Sequence, residues 1–158
     1  MADYKIEHKS AFMLTGYGFT IQAPFTDFAA LAAEKKAFWE GLQADGRFDR
    51  LRKLAKDGLE WSVNEVFQGK PWNYFAVEAK ALVEDATRLI EFPDSDYLVV
   101  AGSGDRESLF DQLTGQAFGQ VLGQVNDYAY VGGPNGTFRR ENADGTYSGE
   151  IWIPVVKK

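Results

Sequence analysis

Trp72-Asn-Tyr-Phe-Ala-Val-Glu-Ala-Lys80 reads as a β-strand with two unequal faces. Successive strand side chains point to opposite sides, so Trp72, Tyr74, Ala76, Glu78 and Lys80 share one face and Asn73, Phe75, Val77 and Ala79 the other. The second face is small and apolar, suited to a core. The first sets two wide amphipathic aromatics in line with a carboxylate. Such a wall can hold a planar organic molecule, with the acid orienting a positive group. A strand whose aromatics pack on a neighbour and whose acid faces water gives the same pattern, and this stretch alone leaves both open.

Upstream, residues 4–22 read as one long strand, with Ile6, Phe12, Leu14 and Phe19 in partial alternation and Gly16-Tyr-Gly18 as a bulge or bend. Pro24 ends it, and Thr26 or Asp27 can cap the next helix. There Phe28, Leu31, Ala32, Lys35, Phe38, Trp39 and Leu42 recur at three- and four-residue steps, the mark of one buried face. Gly46 lies past its end, and Phe48, Leu51 and Leu54 predict a short helical turn within 47–57. A strand from Gly58 to about Phe67 joins the quoted stretch through Gln68-Gly-Lys-Pro71, which is turn chemistry, so the two form a hairpin. The order is strand, helix, strand, strand.

The second half repeats it. After a polar link over 81–86, Leu89 to Phe92 and Tyr97 to Ala101 are extended, and Gly102-Ser-Gly104 echoes Gly16-Tyr-Gly18. Asp105 or Ser108 can cap a helix through about Val125. Asp127 to Val131, Thr137 to Glu141 and Glu150 to Val156 are strands, separated by the turns Gly132-Gly-Pro-Asn-Gly136 and Asn142-Ala-Asp-Gly145. The parallel supports an internal duplication. Gly115, Gly119 and Gly123 fall on one face of the second helix. Each costs a helix roughly 1 kcal/mol relative to alanine, so either close packing or room for a ligand has to offset them.

The chain of 158 residues is 45% hydrophobic, with a net charge of -6 and no basic stripe, a poor match for nucleic acid or anionic membrane. Absence of cysteine excludes thiol catalysis, disulfides and thiolate metal sites. His8, the one histidine, reads as structural or solvent-facing, and Ser10 is the one serine near it in sequence. No carboxylate spacing suggests a metal site. Gly102-Ser-Gly-Asp-Arg-Glu107 has the strand-to-helix setting of a dinucleotide fingerprint, but Glu107 replaces the third glycine and two acids would repel phosphate. The expected cofactor set is therefore empty. Asn135-Gly-Thr137 matches a glycosylation acceptor by chance. Glu60, Glu65, Glu78, Glu141 and Glu150 lie in or beside strands, and burial beside aromatics would raise the pKa of any of them. With no signal core and no run of transmembrane length, a soluble cytoplasmic protein is expected.

The order of elements, Ala-Phe-Trp-Glu-Gly-Leu (37–42), Trp-Asn-Tyr-Phe-Ala-Val-Glu (72–78), Phe-Pro-x-x-x-Tyr-Leu-Val-Val (92–100) and Gly-Glu-Ile-Trp-Ile-Pro (149–154) together resemble the gyrase-inhibitor-like small-molecule-binding domain, also the effector-binding domain of some AraC-type and MerR-type regulators. The resemblance covers nearly the whole chain. It implies an α+β fold of two pseudo-symmetric modules, about 1–80 and 87–158 of a single domain over 1–158, forming a curved antiparallel sheet with two main helices on one face. It also implies an aromatic groove between the modules that takes up diverse, often cationic or aromatic compounds. Family members usually carry a glutamate followed by a tyrosine in the segment before the closing strand; here Thr137 or Arg139 stands in its place. Either Glu78, Glu65 or Glu141 substitutes, or the protein prefers neutral or anionic ligands. Some members hydrolyse strained cyclopropane-bearing compounds, and the same loss counts against that activity. No helix-turn-helix region fits before residue 4 or after Val156, so a stand-alone binding domain is expected.

The expectation is thus a protein that captures or senses amphipathic planar organic molecules, cationic ones included. Trp61, Trp72, Tyr74, Tyr97, Tyr128 and Trp152 are the expected lining and Glu78 the orienting acid. A glutamate-dependent hydrolase in the same groove, or a module that engages a protein partner, is the alternative.

Overall fold

The computed structural model of the chain describes residues 3–24 and 26–158. The described residues form β1 (Lys5–Lys9), β2 (Phe12–Thr20), α1 (Phe28–Ala44), α2 (Arg47–Leu54), β3 (Glu60–Phe67), β4 (Lys70–Val77), β5 (Arg88–Phe92), β6 (Ser95–Gly104), α3 (Leu109–Gln116), β7 (Tyr128–Tyr130), β8 (Asn135–Glu141) and β9 (Tyr147–Lys157). The class is α+β, as the sequence predicts. The hairpin between β3 and β4 turns at Gln68 and Gly69, both left-handed at φ 53° and 76°. Two consecutive positive φ values match the right-handed twist of the strands they join.

One antiparallel sheet takes in strands of both halves, in the order β1-β6-β9-β8-β3-β4-β2-β5, with β7 added along β9. The single long strand expected over 4–22 is two strands. Ser10 and Ala11 separate them, and they join opposite ends of the sheet: β1 pairs with β6, and β2 with β4 and β5. Each half therefore passes its first strand to the other. Links as short as Ser10-Ala11 and Pro93-Asp94 span only about 10 Å, so the ends of the sheet must curl toward each other. Phe12 on β2 accordingly meets Trp152 on β9 at 5.6 Å between ring centroids, across three intervening strands.

Gly16 and Gly18 do not interrupt β2. They pair with Ala76 and Tyr74 of β4, and a Cβ on Gly18 would stand 2.1 Å from the Tyr74 ring. The glycines make clearance for a neighbour; the break lies where no glycine marks it.

Cross-strand register divides the sheet into two faces. Val99, Trp152, Gly136, Val63, Tyr74 and Gly18 are aligned on one, and Val100, Ile151, Thr137, Ser62, Phe75 and Tyr17 on the other. The first face is the inside of the curl. Leu14, Trp61, Val63, Tyr74, Ile90, Phe92, Tyr97, Val99 and Phe138 fill it, with Phe12, Trp72 and Trp152 at its margin. Burying each such ring contributes on the order of 2 kcal/mol.

All three helices lie on the second face. Asp27 caps α1 by accepting from the Ala30 amide at 3.0 Å. Trp39 of α1 packs on Phe75 at 5.0 Å, and Phe48 of α2 stacks on the same ring at 4.3 Å. Leu109 and Leu113 of α3 cover Leu98, Val100, Ile151 and Ile153. Past Gln116 the helix widens into a π turn over Ala117–Val121 and tightens into a 3-10 turn over Leu122–Gln124.

Candidate functional site

Between α1 and α3 the middle strands β3 and β8 present polar side chains to the helix face. Glu60 pairs with Arg139, Ser62 with Thr137 and Asn64 with Asn135. One end of this strip is shut. Arg139 Nε donates to Glu60 at 2.7 Å, its guanidinium also donates to the Arg106 carbonyl at 2.7 Å, and its plane lies 4.3 Å from the Phe110 ring. Arg52 of α2 binds the second oxygen of Glu60. Burial pushes the Arg139 guanidinium down from its ordinary pKa, and the Glu60 carboxylate opposes that shift. In mid-strip, the Thr114 and Thr137 hydroxyls approach to 3.5 Å.

The other end opens into a cavity of about 910 Å³. Phe28, Leu31, Ala32 and Lys35 of α1 line it from one side; Asp111, Thr114, Gly115, Phe118 and Gly119 line it from the other. Asn64, Glu65, Val66, Pro71, Trp72, Tyr130 and Asn135 complete it from the sheet, with Ile21. Its volume and mainly apolar walls suit a drug-sized organic molecule. Phe28 is 78% exposed and Val66 66%, with Phe118 and Tyr130 over a third exposed. Large apolar side chains left open around one hollow mark a binding surface.

The α1 periodicity expected for a buried face acquires a second meaning here. Among the described residues only Leu42 of that helix is fully buried, while its first two turns face the cavity. The glycines of the second helix resolve similarly. A Cβ on Gly115, Gly119 or Gly123 would meet nothing within 4 Å, so close packing does not account for them. Gly115 and Gly119 instead keep the α3 wall low, and the π turn that contains Phe118 and Gly119 belongs to the same wall. Such turns often sit at functional sites.

Three charged residues are among the cavity lining. Glu65 is almost wholly buried and already held: it accepts from the Tyr74 hydroxyl at 2.9 Å and from Arg88 Nε at 2.5 Å, while the Arg88 guanidinium lies 3.6 Å from the Phe67 ring. Burial, then the Glu65 carboxylate, raises the Tyr74 phenol well above its usual range. Lys35 is half-buried, and desolvation holds its amine below the ordinary lysine value, with Asp111 acting in the opposite direction. Asp111 is exposed at the rim. Two buried polar atoms of the lining have no partner, Trp72 Nε1 and Asn135 Oδ1.

Five of the seven residues singled out in the sequence, Trp61, Trp72, Tyr74, Tyr97 and Trp152, meet in the packed cluster inside the curl, while Tyr128 and Glu78 lie apart from it. Trp72 lines the cavity and stacks on Tyr74 at 5.8 Å with planes 7° apart. Trp61, Tyr74 and Tyr97 are buried inside the curl, on the sheet face that Trp72 shares with Tyr74, and do not line the cavity. The Tyr97 hydroxyl donates to the Pro93 carbonyl at 2.7 Å, and burial pushes its pKa up to about 12. Trp152 packs edge-on against Trp61 at 5.2 Å beneath Lys9, and its indole donates to Glu150 at 2.8 Å. Tyr128 packs with the Leu98 cluster under α3. Glu78 lies beyond the end of β4, half-exposed and 3.7 Å from Lys56. Of the other acids weighed, Glu65 is at the cavity and Glu141 is exposed at the end of β8. Thr137 and Arg139, at the position of the missing glutamate, both lie on the strip between the helices.

The sequence does not single out Tyr130, Asn64, Asn135, Lys35 or Phe118 as lining, yet they surround the cavity. Their signal is a strand pattern: Ser62 and Asn64 on β3, Asn135 and Thr137 on β8, are polar at positions whose neighbours on the same face pack under helices. A polar interval on an otherwise covered face marks a gap between the covering elements.

Among the described residues no three His, Asp or Glu side chains gather in a manner fit for a metal ion, and no helix is long and apolar enough to cross a membrane. The family model Cass2, described as an integron-associated effector binding protein, matches residues 5–155. No curated protein sequence matches the chain. In fold the chain is similar to SAV2435 bound to tetraphenylphosphonium (TM-score 0.78, 17% identity, covering 98% of this chain and 94% of that one). It is also similar to an integron cassette protein from the mobile metagenome of Vibrio cholerae (0.67, 11%, 97% and 95%) and to the C-terminal domain of EcmrR (0.57, 10%, 99% and 98%). The curled antiparallel sheet with three helices is the architecture these proteins share.

Proposed function

The chain belongs to the Cass2 integron-associated effector-binding family, and on that premise we propose that it captures or senses a small amphipathic, ring-bearing organic molecule in the cavity between α1 and α3. The observation that carries this reading is the cavity itself, about 910 Å³ and rimmed by uncovered aromatic and aliphatic side chains where two helices of different modules leave the sheet bare. Tetraphenylphosphonium in SAV2435 supports it, since a ligand of four phenyl rings needs a hollow with apolar walls. In this reading Trp72 is the ligand-contacting member of the predicted set, and Tyr74, stacked on it, ties it to the packed interior of the curl. The protein binds without turnover, because its one cavity glutamate is engaged by Arg88 and Tyr74 and is not free to activate water.

Tryptophan fluorescence titrated with hydrophobic ring compounds tests this. Saturable quenching is expected, largely lost in Trp72→Phe, with the added compound recovered unchanged. A ligand at a hundred times its dissociation constant would stabilise the fold by about 2.7 kcal/mol. Quenching that persists in Trp72→Phe, or no binding across such a set, would refute the site.

A further inference from the structure

Lysines are seldom buried without an ion partner. The lysine ion pairs among the described residues are those of Lys5, Lys9, Lys36 and Lys56; Lys35, half-buried in the cavity wall, makes none. Two acids are among the residues that line the same cavity, and they differ in what they offer. Glu65 is neutralised in place by Arg88 and hydrogen-bonded by Tyr74. Asp111 stands across the cavity on α3, solvated at the rim and beyond ion-pairing distance. The strip beneath is uncharged at this end, with Asn64, Asn135 and Thr137 in line. An amine on an apolar wall thus lacks a counter-ion, and the buried carboxylate of the lining is already matched.

Resting on the cavity reading above, we propose that the ligand is an amphipathic organic anion whose acidic group pairs with Lys35 while its apolar body lies between Phe28, Phe118, Trp72 and Tyr130. A negative group entering this wall restores the amine's lost solvation, whereas a cation placed there meets Lys35 and finds Glu65 occupied. Selectivity for anions then comes from one residue of α1 and from the Glu65–Arg88 pair that keeps the acid silent.

Tetraphenylborate and tetraphenylphosphonium have nearly the same shape and opposite charge, so their affinities for the intact chain, measured by fluorescence quenching at fixed ionic strength, isolate the sign of the site. The borate is expected to bind at least tenfold more tightly. Lys35→Met should remove that preference, Lys35→Arg should keep it, and Gly119→Leu, which fills the cavity, should weaken both ions. Equal or reversed preference in the parent, or a preference untouched in Lys35→Met, overturns the charge assignment while the cavity reading survives if Gly119→Leu still weakens both. Binding of neither ion, or binding indifferent to Gly119→Leu, overturns both readings.

Discussion

Gly18 and Tyr74 face each other across β2 and β4 with no room for a methyl group between them. The bare glycine lets the phenol ring lie flat along the strand pair, and the hydroxyl at the far end of that ring reaches Glu65 at 2.9 Å. Arg88 of β5 closes on the same carboxylate. A missing side chain on β2 thus fixes the acid at the cavity margin, and ties β3 and β4 to the strand supplied by the other half of the chain.

Gly18→Ala should therefore cost about 1–3 kcal/mol, the usual range for forced overpacking. In a thermal melt this appears as a clear fall in Tm with the fold otherwise retained. An unchanged Tm would mean that the Tyr74 ring can move aside without cost, and that the glycine serves no clearance.

Much of this arrangement was legible in the residues. The β3–β4 hairpin, the Asp27 cap and the repeat of strands around a helix each rest on local chemistry, and local chemistry is what a sequence displays. The split of residues 4–22 was hidden, because Ser10-Ala11 has no turn chemistry and the break is imposed by which distant strands the two pieces join. The packing of most of the expected lining into the interior has a related cause. Strand alternation correctly put Trp72, Tyr74 and Ala76 on one face, yet it cannot say which face of a curled sheet is packed solid. That depends on the curl, which brings Phe12 onto Trp152 across three strands.

Glu60 and Arg139 are both buried where they meet. Glu60→Ala would leave the guanidinium without its acid beside Phe110, and breaking a buried pair on one side costs about 3–5 kcal/mol. Urea denaturation should show that loss, and the double variant Glu60→Met, Arg139→Met should recover a large part of it, since two apolar groups need no partner. If the single variant unfolds at the parent's urea midpoint, the pair does not hold the closed end of the seam.

Gly115 offers the opposite trade. Its Cβ would meet open space, so Gly115→Ala should stabilise the chain by up to about 1 kcal/mol through helix propensity. The same methyl projects into the cavity, and affinity for a bound ring compound should fall. Stability that rises while binding weakens is the expected pair of results, read from a urea melt and a fluorescence titration of one variant. Binding that is unaffected would place the ligand away from the α3 wall.

His8 is the one histidine in the chain, so its titration can be followed without assignment. Its ring nitrogens face Asp96 at 3.2 Å and Asp94 at 2.6 Å. Hydrogen bonding to Asp96 raises its pKa above the ordinary histidine value; desolvation opposes the rise, and the charge of Asp94 adds to it. The folded state thus favours the charged ring. Its contribution to stability is fully present below the unfolded pKa of about 6.5 and is lost as pH rises through the higher folded value. The proton NMR midpoint of the ring should lie above 6.5, and Asp96→Asn should lower it more than any change on the far side of the sheet. The Tm difference between the parent and His8→Gln should be largest in mildly acidic buffer and fade as the pH rises past the folded midpoint. Because β1 pairs in the sheet with β6, where His8 lies opposite Asp96, a midpoint at or below 6.5 would show that this clasp between the exchanged strand and its host is open in solution.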